Sequence, residues 1–253
     1  MIGVVIPSAG QSGTLRDAVA SVADVPVIVV DDSKDGDVVN SHATVLRSSG
    51  GEGFASAANI GLAEMERRGI SLVLLLNDDA VMAQGALQRL LEEWSDGVGA
   101  LSPVIEEPEG PVYGIIVSPL GRVRLARKPV SIQALSGASL MVRSTERFDT
   151  AYVHGFEDID LCRRLRDRNL RIGCVLDAHC THRAGQTVSR RSRWAQRHAV
   201  GGHLRFVGGG FRGVLAVGLA MFQVMREFGP PERFLGIVDG VWDHLKGPPP
   251  PHL

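Results

Sequence analysis

The sequence predicts an α/β fold in which helices flank a mostly parallel sheet, followed by a C-terminal helical extension. Over the first 100 residues, short apolar runs typical of buried strands alternate with segments of helical periodicity. Two of these runs end directly in acidic clusters, at the sheet edge where open α/β folds bind ligands. Three glycines at 208–210 then break the chain before a last apolar segment.

The elements follow from the pattern in order. Strands are predicted where apolar residues run together, at residues 2–6, 27–30, 45–46, 72–76, 136–142 and 172–176. Helices are predicted where apolar residues recur at helical spacing, at 15–22, 53–65, 86–94, 159–168 and 194–207. Residues 112–125 alternate partly and contain a turn at 119–121, which favours a hairpin or edge strands.

Composition excludes several classes of protein. A hydrophobic content of 44% is enough for a full core, and a net charge of −1 argues against a nucleic-acid partner. Cys162, Cys174 and Cys180 are too few for a disulfide framework, so we expect reduced thiols in a cytoplasmic protein. We expect no signal peptide at the start of the chain, and no apolar run reaches the roughly 18 residues of a membrane span.

The two acidic clusters are candidate ligand sites. Asp31 and Asp32 end one apolar run, where a carboxylate can accept hydrogen bonds from a base or a ribose; a solvated turn is the alternative. Asn77, Asp78 and Asp79 end another, with a spacing suited to holding Mg²⁺ or Mn²⁺ across two phosphates. A helix N-cap is the alternative here, but three polar side chains exceed what a cap needs.

A third acidic group opens a predicted helix with Glu157, Asp158 and Asp160. Acids in a first turn are favoured by the helix dipole, which is the simpler interpretation. Three acids in four positions also repel one another, which raises pKa values and makes a usable general base. His182 lies in a predicted polar loop, either as a ligand or merely exposed.

Seven features of the chain share their order with a known family. They are residues 4–7, 29–33, 53–61, 74–79, 136–143, 156–163 and His182. Among them are a Gly-Phe-rich segment ending in Asn59-Ile60-Gly61, a D-x-D-like cluster and an E-D-x-D helix start. Together they resemble the family 2 glycosyltransferases of the GT-A fold, in particular the rhamnosyltransferase-like branch.

The resemblance implies a GT-A catalytic domain over residues 1–207, with a nucleotide-sugar half to about residue 100 and an acceptor half after it. It implies inverting transfer of a sugar from a nucleotide-diphosphate donor to a hydroxyl of a glycan or lipid-linked acceptor. Residues 208–253 would form the helical extension, with a disordered proline-rich tail at 248–251.

The resemblance also implies roles for individual residues. The residues that would contact the nucleotide are Pro7, Asp31 or Asp32, Asn59, Asn77 and Asp78. Asp79 and His182, with Asp78 as a further candidate, would hold Mn²⁺ or Mg²⁺ on the diphosphate. Asp158 would be the general base, beside Glu157. Gly137, Ala138 and Asp160 would contact the acceptor.

The match has departures, and rivals stay open. The first loop carries Ala9-Gly10-Gln11 where the family usually has Asn and Arg, and Asn77 takes the first position of the metal motif. A sugar-nucleotide pyrophosphorylase is one rival, although it requires a glycine-rich N-terminal phosphate loop with a basic residue. A non-catalytic module that binds a nucleotide sugar or a glycan is the other.

The chain between Asp177 and Glu227 holds no acidic residue. It holds eight arginines, Arg183, Arg190, Arg191, Arg193, Arg197, Arg205, Arg212 and Arg226. Residues 211–228 mix apolar side chains with two of them, which suits an interfacial helix on the inner face of a membrane. A helix packed on the catalytic domain and a homodimer contact are the alternatives. Arg190, Arg191 and Arg193 with Trp194 would instead contact donor phosphates.

Overall fold

The apolar runs form the centre of the molecule in the computed structural model. It describes residues 1–10, 13–36, 38, 42–118, 121–183, 193–208, 213–215, 218, 222 and 231–246. The strands are β1 (Ile2–Ser8), β2 (Val27–Asp31), β3 (Thr44–Arg47), β4 (Leu72–Leu76), β5 (Ala80–Met82), β6 (Val98–Glu107), β7 (Gly110–Val112), β8 (Ile115–Val117), β9 (Val123–Leu125), β10 (Ser139–Arg143) and β11 (Arg171–His182). The helices are α1 (Gly13–Ala20), α2 (Phe54–Arg67), α3 (Ala86–Glu92), α4 (Glu157–Asp167), α5 (Arg193–Val207) and α6 (Pro231–Lys246).

Nine of the strands in the described residues form one sheet, in the order β3-β2-β1-β4-β10-β6-β11-β5, with β7 paired to β6. The first four of that order are parallel to one another. Strand β10 is antiparallel to both β4 and β6, so β6 runs in the direction of β4, and β11 is parallel to β6. The sheet is therefore mixed but mostly parallel, as predicted.

Alternation along the central strands fills both faces of the sheet. Val4 and Ile6 belong to an apolar cluster that α1 and α3 cover, whereas Val5 belongs to a second cluster that α2 and α4 cover. This is the period of two expected of a strand buried on both sides. Each fully buried large aliphatic side chain contributes about 1.5–3 kcal/mol to folding, so these clusters hold the sheet rigid.

The topology brings five strand ends together. Because β1, β2, β4, β6 and β11 point the same way, their carboxyl ends meet at one edge of the sheet. The residues at these ends are Ser8, Asp31, Leu76, Glu107 and His182. The acidic cluster that follows Leu76 lies at the same edge.

Two predictions about the elements were wrong. The sequence analysis missed β5 and β6, because Gly99 and Pro103 interrupt the apolar pattern of β6. It also ended the last strand at residue 176 and placed His182 in a loop. In the structure β11 continues to His182, and exposed and buried side chains alternate from residue 177 to 182. Strand β7 was not predicted, and α6 had no predicted bounds within the helical extension. The other elements agree within a few residues, including the hairpin of β8 and β9, whose turn residues 119–120 lie outside the described residues.

The C-terminal helices lie on the acceptor half of the chain. Phe206 of α5 packs under the guanidinium of Arg163, 4.4 Å from ring centroid to carbon, and α6 packs along α5. No helix within the described ranges is long and apolar enough to cross a membrane. Most of residues 211–228 and the tail at 248–251 lie outside these ranges, so the interfacial helix and the disordered tail stay predictions, as does the domain boundary at residue 207.

Candidate active site

A cleft of about 420 Å³ opens at the edge where the strand ends meet. It is walled by the strand ends on one side and by the start of α4 on the other. Ten of the residues singled out from the sequence line it: Pro7, Asp32, Asn77, Asp78, Asp79, Gly137, Ala138, Glu157, Asp158 and His182. The peptide N–H of Asn77 donates to the carbonyl of Ala138 at 3.0 Å, which ties the two halves of the chain together at the cleft floor.

The sheet side of the cleft holds a cluster of polar groups around His182. Its Nε2 lies 3.1 Å from Oδ1 of Asp79 and 3.3 Å from the amide nitrogen of Asn77. Its Nδ1 lies 3.4 Å from Oε1 of Glu107. Burial opposes a charge on the ring, but the hydrogen bonds with the two carboxylates outweigh it and raise the pKa of His182 to about 9.

This cluster fits a divalent cation in part. Asp79 and His182 offer a donor oxygen and a donor nitrogen 3.1 Å apart in the cleft lining, and the nitrogen binds a cation once the ring has lost its proton. The carboxylate of Glu107 holds the second ring nitrogen of His182, which is how metal-binding histidines are usually oriented. Among the described residues no group of three or more such ligands forms. Two protein ligands suit Mg²⁺ or Mn²⁺ that completes its shell with substrate phosphates and water.

Asp78 braces the loop that follows β1. Its Oδ2 accepts a 2.7 Å hydrogen bond from the hydroxyl of Ser8. Burial raises the pKa of Asp78, the bond from Ser8 opposes this, and the charge of Asp79 adds to it. Ser8 lines the cleft as well, so this hydrogen bond fixes the start of that loop at the cleft wall.

The helix side of the cleft presents two adjacent acids. Asp158 accepts hydrogen bonds from the peptide N–H of Gly137 at 2.9 Å and from that of Ile159 at 2.8 Å. Burial raises the pKa of Asp158 above its usual range. Burial and then the charge of Asp158 raise the pKa of Glu157 to about 8. In the described residues, Oε2 of Glu157 is the buried side-chain oxygen without a hydrogen-bond partner.

A residue with a left-handed backbone conformation precedes these two acids and sets where α4 begins. Phe156, the N-cap of α4, has φ of 72°, a conformation that is uncommon for a residue with a side chain. Its ring stacks on His203 of α5 at 5.4 Å between centroids, nearly parallel. The helix α5 therefore packs directly behind the start of α4.

Three predicted site residues are not part of the cleft lining, and the polar atoms of each bond to other parts of the protein. Asp31 accepts hydrogen bonds from Ser33 and Val38 and shapes the turn after β2. The amide of Asn59 exchanges two hydrogen bonds with the backbone of Phe148, at 2.9 and 2.8 Å. The nucleotide contacts expected of Asp31 and Asn59 stay predictions.

Asp160 is the third of these residues. It is buried and forms ion pairs with Arg163 and Arg164, at 2.6 and 2.8 Å. It therefore anchors α4, and its expected contact with an acceptor stays a prediction. The expected crowding of three acids reduces to Glu157 and Asp158, the two that face the cleft.

Asp32 has a more complex position. It lines the cleft, but its carboxylate accepts hydrogen bonds from the hydroxyl of Ser48 and from the peptide N–H groups of Glu52 and Gly53. It therefore pins the glycine-rich loop against the sheet edge. Gly51 and Gly53 of that loop line the cleft, so the loop backbone forms part of the wall.

The sequence analysis missed some cleft residues. Ser8 was not selected from the sequence. Glu107, which contacts His182 but is not part of the cleft lining, lies on β6, a strand that was not predicted. His154 was also not predicted. It lines the cleft together with Trp194, which was expected near donor phosphates, and their ring centroids lie 5.2 Å apart. Arg193, expected near donor phosphates, instead forms an ion pair with Asp239. Arg190 and Arg191 lie outside the described residues.

Solved structures share this fold at low sequence identity. GalNAc-T7 with UDP, GalNAc and Mn²⁺ superposes with a TM-score of 0.63 at 13% identity, over 79% of this chain and 47% of that one. The mannosyltransferase PcManGT from Pyrobaculum calidifontis, in complex with GDP-Man and Mn²⁺, gives 0.59 at 14%, over 96% and 86%. S. aureus TarS 1–349 in complex with UDP-GlcNAc gives 0.52 at 14%, over 85% and 69%. The chain thus spans about half the length of the first of these structures.

One family model matches the N-terminal part of the chain. A search of curated proteins returned no match. The model of Glycosyl transferase family 2 matches residues 3–126, which carry β1, β2, β4 and the Asn77-Asp78-Asp79 cluster. The fold and the family agree with the resemblance noted in the sequence, although the rhamnosyltransferase branch is not distinguished. The part of the chain that matches Glycosyl transferase family 2 is residues 3–126, just under half of its length.

Proposed function

We propose that the protein transfers a sugar from a nucleotide-diphosphate sugar to an acceptor hydroxyl, with inversion at the anomeric carbon. The observation that carries this proposal is the division of the cleft. Asp79 and His182, the pair that would bind a cation, lie on its sheet side, and the fixed, buried carboxyl of Asp158 lies on its helix side. A leaving diphosphate and an attacking hydroxyl need these two groups on opposite sides of the reacting carbon.

The sheet side would bind the donor. Pro7, Asp32 and the backbone around Gly51 and Gly53 wall the region where we place the nucleoside. Asp79 and His182 would hold Mn²⁺ or Mg²⁺, which when bound stabilises the negative charge of the departing diphosphate. Glu107 would keep the imidazole of His182 oriented toward the ion.

The helix side would activate the acceptor. Two peptide N–H groups fix the carboxyl of Asp158, so it is already positioned when the acceptor arrives. In a single displacement, the acceptor oxygen forms a bond to the anomeric carbon while the bond to the diphosphate breaks. Asp158 takes the hydroxyl proton in that step. Its raised pKa makes it a stronger base than an exposed aspartate.

We propose a glycan or a lipid-linked sugar as the acceptor, and peripheral contact with the inner face of a membrane. Support for the surface contact comes from α6, where the apolar side chains of Leu235, Val238 and Trp242 are exposed. Co-sedimentation with anionic and zwitterionic vesicles tests it: we expect binding to the anionic ones, and loss of binding in Trp242→Ala. Equal recovery in the supernatant with both vesicles would contradict the contact.

Nucleotide titration tests the donor assignment. Calorimetry with UDP, dTDP and GDP, each with and without Mn²⁺, should give metal-dependent binding of one nucleotide. The matched variant Asp79→Asn should abolish the metal dependence, whereas Asp177→Asn, on an exposed part of β11, should leave it intact. If no nucleotide binds under any of these conditions, the donor assignment is wrong.

A further inference from the structure

The C-terminal helix α6 is fastened to α5 by two ion pairs in register. Arg193 of α5 pairs with Asp239 of α6, with 2.6 Å between Nε and Oδ2. One turn further, Arg197 pairs with Asp243, with 3.0 Å between Nη2 and Oδ1. Both partners step by four residues, so the two pairs lie along one line of contact between the helices.

Two glycines let the backbones of these helices touch. A Cβ built on Gly236 would lie 2.6 Å from the carbonyl oxygen of Arg193. A Cβ built on Gly240 would clash with the carbonyl oxygen of Arg197. No side chain fits at either position without moving one helix. Val200 and Leu204 of α5 and Ile237 of α6 are buried together beside them. The position of α5 is therefore tied closely to that of α6.

The N-terminal end of α5, which the ion pair of Arg193 holds against α6, reaches the cleft. Trp194 directly follows Arg193 and lines the cleft with Glu157 and Asp158. Its ring lies 5.2 Å from that of His154 and 4.7 Å from that of His198, between centroids.

The middle of α5 supports the segment that leads into α4. A Cβ on Gly202 would lie 3.0 Å from the carbonyl oxygen of Gly155. Together with the stacking of Phe156 on His203, this places α5 behind the two acids and beside them.

We infer that α6 belongs to the active site of this enzyme. Through α5 it positions Trp194 as a wall of the acceptor side, with Gly236, Gly240, Asp239 and Asp243 as positioning residues that touch no substrate. This inference rests on the proposed function for its meaning, because the acceptor side is defined by Asp158. Its structural part, that α6 fixes Trp194, stands by itself.

The first experiment reads the position of Trp194 without any ligand. In full-length protein carrying Trp94→Phe and Trp242→Phe, Trp194 is the remaining tryptophan. We expect Gly240→Val to red-shift its emission and to increase its quenching by acrylamide. The matched control is Gly201→Ala on α5, where an added Cβ meets its nearest neighbour only at 4.0 Å. Should Gly240→Val fail to fold, Asp239→Asn combined with Asp243→Asn replaces it. Unchanged emission and quenching in the folded variant would overturn the inference.

The second experiment asks whether the effect passes through Trp194. The probes are Mn²⁺, the nucleotide sugar whose nucleotide binds in calorimetry, and methyl glycosides as acceptors. We expect Gly240→Val to lower kcat/KM for the acceptor by about tenfold or more while nucleotide affinity is retained. In a protein that already carries Trp194→Ala, Gly240→Val should then lower kcat/KM for the acceptor only slightly further.

The outcomes separate the two claims. Equal losses from Gly240→Val with and without Trp194 would overturn the route through Trp194. Absence of metal-dependent nucleotide binding in the wild type would instead defeat the proposed function, and the quenching experiment would still decide whether α6 fixes Trp194.

Discussion

The two sides of the cleft are built by different means. On the sheet side, Asp79, Glu107 and His182 come from the ends of three strands and hold one another through side chains. On the helix side, backbone N–H groups hold Asp158, and Oε2 of Glu157 lacks a hydrogen-bond partner among the described residues. The polar side chains of the sheet side already have partners within the protein. On the helix side, a carboxyl oxygen of Glu157 has none among the described residues and can bond to a ligand.

This difference matches the two tasks we propose. A diphosphate is common to nucleotide-sugar donors, so a rigid cluster on a buried sheet can serve any of them. An acceptor varies more, and the helix side is formed by a helix start, a loop and the packed helix α5. The predictions that follow would break or sharpen this comparison, from the largest expected effect to the smallest.

Removing a sheet-side ligand should have the largest effect. Asp79→Ala deletes one of the two protein donors that we propose for the cation. We expect metal-dependent nucleotide binding and sugar transfer to fall below detection, with the thermal unfolding temperature close to that of the wild type. Calorimetry and a radiolabelled transfer assay measure both. Retention of Mn²⁺-dependent binding would remove Asp79 from the metal site.

Glu107 should act through His182, with a smaller effect. Glu107→Gln weakens the acceptor that orients Nδ1 of the ring, which typically costs about 10–100-fold in metal affinity. Its neighbour Glu106 pairs with the exposed His179, so Glu106→Gln is the matched control and should leave the affinity unchanged. Mn²⁺ titration followed by electron paramagnetic resonance gives both values. Equal affinities in the two variants would contradict the orienting role.

The helix side predicts a pH-dependent stability. The pKa of Glu157 is raised to about 8 in the folded protein, chiefly by burial. Between its unfolded pKa and about pH 8, the unfolded chain releases the proton while the folded chain keeps it, so ionisation favours unfolding as pH rises. Glu157→Gln removes this cost.

We therefore expect Glu157→Gln to gain stability relative to the wild type from pH 5 to pH 8, by on the order of 2 kcal/mol. Urea unfolding at several pH values measures the difference. A difference that stays constant with pH, or that shrinks toward pH 8, would mean that Glu157 is not held protonated in the fold.

Asn59 should give the smallest effect, on stability alone. Its amide holds the backbone of Phe148 through two hydrogen bonds and lies off the cleft wall. Asn59→Ala should lower the free energy of unfolding by about 1–2 kcal/mol and leave nucleotide affinity within error. Chemical denaturation and calorimetry on the same sample decide this. A clear loss of affinity without a loss of stability would restore the nucleotide role suggested by the resemblance.

The sequence predicted the parts of the site that follow a clear strand. The Asn77-Asp78-Asp79 cluster was visible because five apolar residues precede it. Glu107 was not, because Gly99 and Pro103 hide the strand that carries it. Such interruptions are tolerated only because tertiary packing overrides local preference, which a single sequence does not reveal.

Helical geometry separates two of the predicted acids. Asp158 and Asp160 are two residues apart on α4, about 200° around the helix axis, so they cannot both face the cleft. The sequence offered no basis for choosing between them, since the partners of Asp160 are decided by how α4 packs. The contact of α5 with residues 152–156 is equally long-range, and it depends on glycines whose role appears only when the helices meet.

One measurement tests the central claim that a single cleft binds the donor on one side and activates the acceptor on the other. Asp158→Asn keeps the shape of the side chain and an oxygen that can accept the hydrogen bond from the peptide N–H of Gly137, but it removes the base. We predict Mn²⁺-dependent nucleotide affinity equal to that of the wild type and a transfer rate lower by about 10²–10⁴-fold. A variant that transfers sugar at the wild-type rate would contradict the account.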